Sequence, residues 1–220
     1  MSNPLRAKST DHMQLVLDRY ADRENIGIRH TDQRILYDTY LSKAMTLEEL
    51  KGKKILELGA GCSQYIPLFL DSGCDAYYAN DLIPERLAAT RVDDPRYSEL
   101  PGDFLKIDLP DPVDIAFATL TMMCVKPLFA EFAARLNQSL KPGGVFVSME
   151  ANYACPYNFA RYPFIKGVNP VIPFSPFAYA KIFEANCFAI EKMVPFTSRF
   201  GWTTGSWALG TCFWLRARKL

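Results

Sequence analysis

Two glycines at 59 and 61, a carboxylate just before them at Glu57, and further carboxylates at Asp81 and Asp103 are the residues whose types and spacing suit chemistry. Residues 54–61 read Lys-Ile-Leu-Glu-Leu-Gly-Ala-Gly, a short apolar strand running into a glycine loop. Such a loop lets the backbone take unusual dihedrals and lets a nucleotide-like ligand approach a strand end without meeting a Cβ. Nicotinamide enzymes put a glycine loop at the same point, but their fingerprint needs a third glycine three residues after the second. Here that position is Gln64, and Ser63 stands two after Gly61, so neither spacing completes it. Asp81, 24 residues after Glu57, closes a second apolar run. A carboxylate there accepts hydrogen bonds from two ribose hydroxyls, and it equally suits a helix N-cap before Pro84. Asp103 beside Phe104 pairs an acceptor for an adenine amino group with a ring that packs on the base, or it forms a plain turn. Asp108 competes for the same contact.

These residues must be positioned by the elements between them. From residue 51 onward, strand-like and helix-like segments alternate. Lys54–Leu58 is a buried strand, and 64–72 a helix stopped by Gly73. Residues 76–79 form a second strand, and Pro84 fits the first turn of another helix. Residues 115–120 form a continuous apolar strand. Phe129, Phe132, Leu136 and Leu140 make a helical stripe over 127–140, Lys141-Pro-Gly-Gly144 ends it, and 145–149 is the next strand. The alternation predicts an α/β fold, a doubly wound parallel sheet with helices on both faces and right-handed crossovers. Residues 188–194 and 211–218 predict an antiparallel pair at one end of the sheet. Ser175-Pro176 reads as N-cap and first residue of a helix through Ala185. Residues 1–45 form an N-terminal helical cap of amphipathic helices, 46–220 the main domain. Within it, 151–174, rich in proline and aromatics, is a lid or substrate insertion.

The chain has 220 residues, 49% of them apolar, which is enough for a large core in one domain with an appendage. A net charge of +1 gives no reason to expect nucleic acid or an anionic membrane as partner. The N-terminus lacks a signal-peptide core, and no apolar run approaches the ~20 residues that span a bilayer, so a cytoplasmic protein is expected. Six scattered cysteines form no Cys-x-x-Cys pair and read as buried thiols; with His12 and His30 the only histidines, no metal site is expected.

Taken in order, Glu57-Leu-Gly-Ala-Gly61, Asp81, Gly102-Asp103-Phe104 and Leu140-Lys-Pro-Gly-Gly144 resemble the motif series of class I S-adenosylmethionine-dependent methyltransferases, in particular the methyltransferase type 11 branch. The resemblance covers residues 50–150 closely. It implies a Rossmann-like, mostly parallel seven-stranded sheet with an antiparallel C-terminal strand, and S-adenosyl-L-methionine as cofactor, leaving as S-adenosyl-L-homocysteine. It also implies that Gly59, Ala60 and Gly61 line the methionine part, with Glu57 beneath it. Asp81 would hold the ribose, and Leu82, Asp103 and Phe104 would meet the adenine. Ala118 and Thr119 would sit near the sulfonium. Ser63 replaces a third motif glycine. Met123 and Cys124 stand where relatives often carry a histidine pair, so a histidine base is absent there.

Methyl transfer is an in-line displacement that rests on alignment and exclusion of water. The candidates for taking the acceptor's proton are Glu150, Tyr153 and His30, with Glu150 favoured because it follows the fifth strand; proximity alone, without a dedicated base, is the other option. A small-molecule acceptor methylated on O or N is expected. The alternatives are a macromolecule (protein or RNA) methyltransferase and a non-catalytic methyltransferase-like binding protein. The sequence is silent on oligomeric state.

Overall fold

The computed structural model describes residues 14, 37–61, 63, 65–165, 175–197 and 202–220. His12, His30 and most of the expected N-terminal cap lie outside these residues, as does the 166–174 part of the insertion. The elements in chain order are β1 (Lys54–Leu58), α1 (Ile66–Asp71), β2 (Ala76–Asp81), α2 (Pro84–Ala88), β3 (Tyr97–Pro101), β4 (Val113–Thr119), α3 (Phe129–Ser139), β5 (Leu140–Ala151), α4 (Pro156–Ile165), α5 (Pro176–Ala185), β6 (Phe188–Phe196) and β7 (Cys212–Lys219). The seven strands form one sheet in the order β3-β2-β1-β4-β5-β7-β6. β1 to β5 pair in parallel, while β7 runs against both β5 and β6. This is the expected doubly wound sheet, with its order reversing between β1 and β4, and with β7 as the antiparallel C-terminal strand. At such a reversal a crevice opens outside the carboxyl ends of the strands.

Strand periodicity divides the interior into two cores. Leu56, Leu58, Ala116, Ala118 and Phe146 face α3 and α5, where Phe132, Leu136 and Phe183 are buried with them. Ile55, Ile115, Phe117 and Tyr77 face the other side, against α1 and residues 37–50. There Phe69 packs on Phe117 with ring centroids 5.3 Å apart. Residues 37–50 are fastened to the far edge of the sheet by Arg216, which donates to the Ala44 carbonyl at 3.0 Å and to Glu49 at 2.7 Å.

Several boundaries differ from the sequence expectation. Lys141-Pro-Gly-Gly144 does not separate α3 from a strand beginning at 145. β5 starts at Leu140, and its ladder with β4 shifts from Val113↔Leu140 to Ile115↔Val145, so the four residues bulge out within the strand. Glycine is needed there for steric reasons: Gly143 has φ +72°, and a Cβ on Gly144 would come within 2.9 Å of the Lys141 carbonyl oxygen. Lys141 also ion-pairs with Asp114 at 2.7 Å, anchoring the bulge to β4. Ser175 occupies the N-cap position of α5, but its side chain makes no capping bond. Cys187, expected among the buried thiols, is exposed, with φ +60° where α5 turns into β6.

Glu57 alternates onto the α1 side of the sheet and is buried under the glycine loop. It accepts a 2.5 Å hydrogen bond from the Tyr77 hydroxyl. Burial pushes its carboxyl up to about 7, against the pull of the Ser63 and Tyr77 hydroxyls. Because the folded chain holds this proton more tightly than the unfolded one, the stabilisation is complete below the unfolded value near 4.5 and is lost as pH rises through about 7. The full span amounts to roughly 3 kcal/mol at 1.36 kcal/mol per pH unit. Glu57→Gln removes the titration, so the stability of the wild-type chain relative to this variant should fall between pH 5 and pH 8, measured by urea denaturation without ligand. Parallel pH curves for the two proteins would show that another group titrates.

Candidate active site

The crevice at the carboxyl ends of β1, β2 and β4 holds a cavity of about 240 Å³. Asp81 organises its floor. One carboxylate oxygen accepts the Gly61 amide at 2.7 Å and the other the Ile83 amide at 2.8 Å, tying the glycine loop to the start of α2. Burial raises the Asp81 carboxyl; the Ile83 and Gly61 amides and the nearby Arg86 oppose that rise. Each oxygen keeps a lone pair, which suits the two hydroxyls of a ribose. Asn80, polar inside an apolar strand, donates to the Leu100 and Gly102 carbonyls at 2.7 and 3.0 Å and so fixes the β3 end beside Asp81.

Asp103 and Phe104 lie at the far end of the cavity, with Leu105 and Phe132. Phe104 packs on Phe132, centroids 4.8 Å apart, under the Arg135 guanidinium. Asp103 Oδ1 accepts the Leu105 amide at 3.0 Å. Its Oδ2 is buried and accepts no hydrogen bond, although Lys106 Nζ lies 3.0 Å away as an ion pair. A buried acceptor met by an ion pair but by no aligned hydrogen bond, next to an aromatic wall, fits the amino edge of an adenine. The cavity residues thus suit an adenosine with its ribose over Asp81.

The glycine loop works differently from the simplest expectation. Gly59 and Gly61 have φ +63° and +53°, values that favour glycine. A Cβ on Gly59, however, would fall 2.3 Å from the Thr121 side chain, so it is the turn after β4 that leaves no room there.

Of the expected cofactor residues, Gly59, Asp81, Leu82, Asp103, Phe104 and Thr119 line the cavity. Ala60, Gly61 and Ala118 do not line it: Gly61 supports Asp81 through its amide, and Ala118 is fully buried in the sheet. Glu57 also lies outside the lining, bonded to Tyr77. Of the proton-acceptor candidates, His30 is outside the described residues. Tyr153 is half-buried against Phe159, centroids 5.4 Å apart. Glu150 is fully buried away from the cavity, and its oxygens accept the Met122 and Met123 amides at 3.0 and 3.2 Å. Burial pushes the Glu150 carboxyl up to about 8, while these amides and that of Thr121 pull it down.

Sequence reasoning missed Arg86, Leu120, Thr121, Cys124 and Phe132 as cavity residues. Phe132 belongs to the helical stripe that was legible as core. Arg86 stands in α2, two residues after Pro84, near enough to Asp81 for its charge to act on that carboxyl. Leu120 has φ +55° without being glycine, and nothing in its residue type announces that.

Among the described residues no cluster could hold a metal ion, and no helix is long and apolar enough to cross a membrane. Residues 56–148 match the family model of a methyltransferase domain. No curated protein matches the chain. Solved structures similar to it include an S-adenosylmethionine-dependent methyltransferase from Mesorhizobium loti, at 20% identity over 78% of this chain and 93% of that one, TM-score 0.63. The N-methyltransferase NodS from Bradyrhizobium japonicum, in complex with S-adenosyl-L-homocysteine, is 14% identical over 94% of this chain and 98% of its own, TM-score 0.67. Magnesium protoporphyrin IX methyltransferase from Synechocystis aligns over all of this chain and 89% of its own at 12% identity, TM-score 0.61. At these identities the likeness is one of fold; the family match over 56–148 contains the glycine loop, Asp81 and Asp103. Residues 56–148 thus resemble a methyltransferase domain, on a fold shared with S-adenosylmethionine-dependent methyltransferases.

Proposed function

We propose that the chain transfers the methyl group of S-adenosyl-L-methionine to an oxygen or nitrogen of a small, partly apolar molecule. One observation carries the acceptor class. The carboxyl edge that holds the cavity continues past β5 into α4, where Tyr157 and Phe159 stand exposed. Phe177 at the start of α5 is exposed as well and packs on Trp207, centroids 5.3 Å apart. Asn152 pins this region together, donating to the Trp207 and Gly210 carbonyls at 2.8 and 2.7 Å. Aromatic rings held at a rigid edge suit a flat or apolar acceptor. We assign the sequence-derived cap over 1–45 and the 151–174 insertion to covering that acceptor.

The bound donor supplies a methyl carbon already activated by a sulfonium, so its departure needs no acid. The chain's residues orient and desolvate. Asp81 holds the ribose hydroxyls, and Asp103 with Phe104 holds the adenine. Gly59 and Thr119 flank the opposite end. Alignment of this kind lowers a barrier by about 7–11 kcal/mol in the best intramolecular cases. With Glu150 committed to backbone amides, catalysis rests on proximity, and Tyr153 is the one proposed proton acceptor among the described residues.

Replacing Asp81 by Ala should weaken S-adenosyl-L-homocysteine binding about 10- to 100-fold by calorimetry, since charge-assisted hydrogen bonds contribute about 1.5–3 kcal/mol each. Affinity equal to wild type would remove Asp81 from the site. The acceptor class is checked by incubating the wild-type chain with cell extract and methyl-labelled cofactor. Label should enter the low-molecular-weight fraction. Label confined to protein or RNA would establish a macromolecular acceptor instead, and cofactor binding with no transfer at all would establish a binding protein.

A further inference from the structure

We propose that Glu150 is a positioning residue whose carboxylate holds the strained turn after β4 in the shape that walls the cofactor cavity. This rests on the assignment of that cavity to S-adenosyl-L-methionine.

Three separate observations meet at the turn. The first is the carboxylate itself. Phe146, Ser148 and Glu150 alternate onto one face of β5; Phe146 joins the α3–α5 core, and Ser148 shares a 2.8 Å hydrogen bond with Tyr179. Glu150, the last of the series, points its two oxygens at the Met122 and Met123 amides. Among the described residues it forms no ion pair, so backbone amides are what meets this buried carboxyl group. A buried carboxylate is tolerated only where donors are supplied, and the donors here belong to a turn rather than to a substrate.

The second observation is strain. Leu120 sits at φ +55°, which costs a residue with a Cβ roughly 1–2 kcal/mol. Its amide donates to the Met149 carbonyl at 2.7 Å, which holds one side of the turn. Glu150, one residue further along β5, holds the other side. Leu120 is 42% exposed and lines the cavity, so the unusual conformation is presented to the ligand.

The third is the contact between turn and glycine loop. Thr121 lies where a Cβ of Gly59 would be, and its hydroxyl donates to the Thr119 carbonyl at 3.2 Å. A shift of residues 120–123 therefore moves Thr121 against or away from Gly59, and one buried carboxylate sets the spacing of two cavity walls. The same geometry argues against Glu150 as the proton acceptor: it is fully buried and does not line the cavity.

The test is a double-mutant cycle read by calorimetry with S-adenosyl-L-homocysteine. In Glu150→Gln an amide nitrogen replaces one carboxylate oxygen and faces an N–H donor, so one of the two bonds becomes a repulsion. Its Kd should rise about 10-fold. Glycine takes positive φ without help, so in the Leu120→Gly background the same substitution should cost clearly less affinity. A Kd unchanged by Glu150→Gln overturns the proposal, whether turnover collapses, as for a proton acceptor, or only the melting temperature falls, as for a purely structural residue. An equal loss in both backgrounds overturns it too. If Glu150→Gln does not fold, Glu150→Asp, which reaches at most one of the two amides, takes its place with the same outcomes. Failure of the wild-type chain to bind S-adenosyl-L-homocysteine would overturn the cofactor assignment; binding by wild type with an unaffected variant overturns the role of Glu150 alone.

Discussion

A carboxylate buried at the end of a β-strand must be met by hydrogen-bond donors, and the turns of the crevice are where this chain finds them. Asp81 at the end of β2 takes the amides of Gly61 and Ile83. Glu150 near the end of β5 takes those of Met122 and Met123. Glu57 in β1, by contrast, takes its donor from the neighbouring strand, the Tyr77 hydroxyl of β2. Leaving any of these acceptors unpaired would cost more than the bond is worth in water. The turns are thereby held to a few ångströms of fixed geometry, although none contains a full turn of α-helix. The sheet supplies the frame, but the carboxylates decide where its loops stop.

The three acids are not equivalent, and their surroundings say why. Glu57 lies on the α1 face, in the layer of Tyr65, Phe69, Tyr77 and Phe117. Glu150 lies on the opposite face, in line with Ser148 and Phe146, and among the described residues its oxygens meet the Met122 and Met123 amides. Asp81 alone both supports a loop and borders the cavity, so it alone keeps acceptor capacity directed at a ligand. Residue type does not separate these roles; place along the strand does, since Asp81 is the last residue of β2, at the crevice, whereas Glu57 and Glu150 each stand one residue before the end of their strands.

Much of this was legible beforehand. The alternation of apolar strands with helical stripes gave the parallel sheet, though not the order of its strands, and the breaks at Gly73 and Pro84 fell where α1 ends and α2 begins. Asp81, Asp103 and Phe104 were legible because a carboxylate at a strand end, and a carboxylate beside a ring, stand at the spacing a nucleotide-like ligand needs. Illegible features share one cause: they depend on contacts between elements distant in sequence. Gly59 looked like a ligand cradle, but the group that would meet its Cβ is Thr121, more than sixty residues on. The 141–144 bulge looked like a helix stop because its glycines satisfy both needs, and only pairing with β4 shows which one is met. Glu150 looked like a base because it follows a strand in the right sheet position, yet it is fully buried outside the cavity lining, with its oxygens on the Met122 and Met123 amides.

The two halves of the site are therefore built by different physics. The cofactor half is made of backbone: positive φ at glycines, amides on carboxylates, and strand ends in fixed register. Substitution there disturbs the sheet, so its sequence signal is strong. The acceptor half, as proposed above, is made of the exposed rings of Tyr157, Phe159 and Phe177, whose backbone lies in α4 and α5. Those side chains are free to change without breaking a single strand pairing. Glu150 stands between the two halves, because the turn it holds reaches the glycine loop through Thr121 on one side and presents Leu120 to the cavity on the other. A change of acceptor preference in this fold thus has an inexpensive route through the rings and a costly one through the turn, and the buried carboxylate is what makes the second route costly.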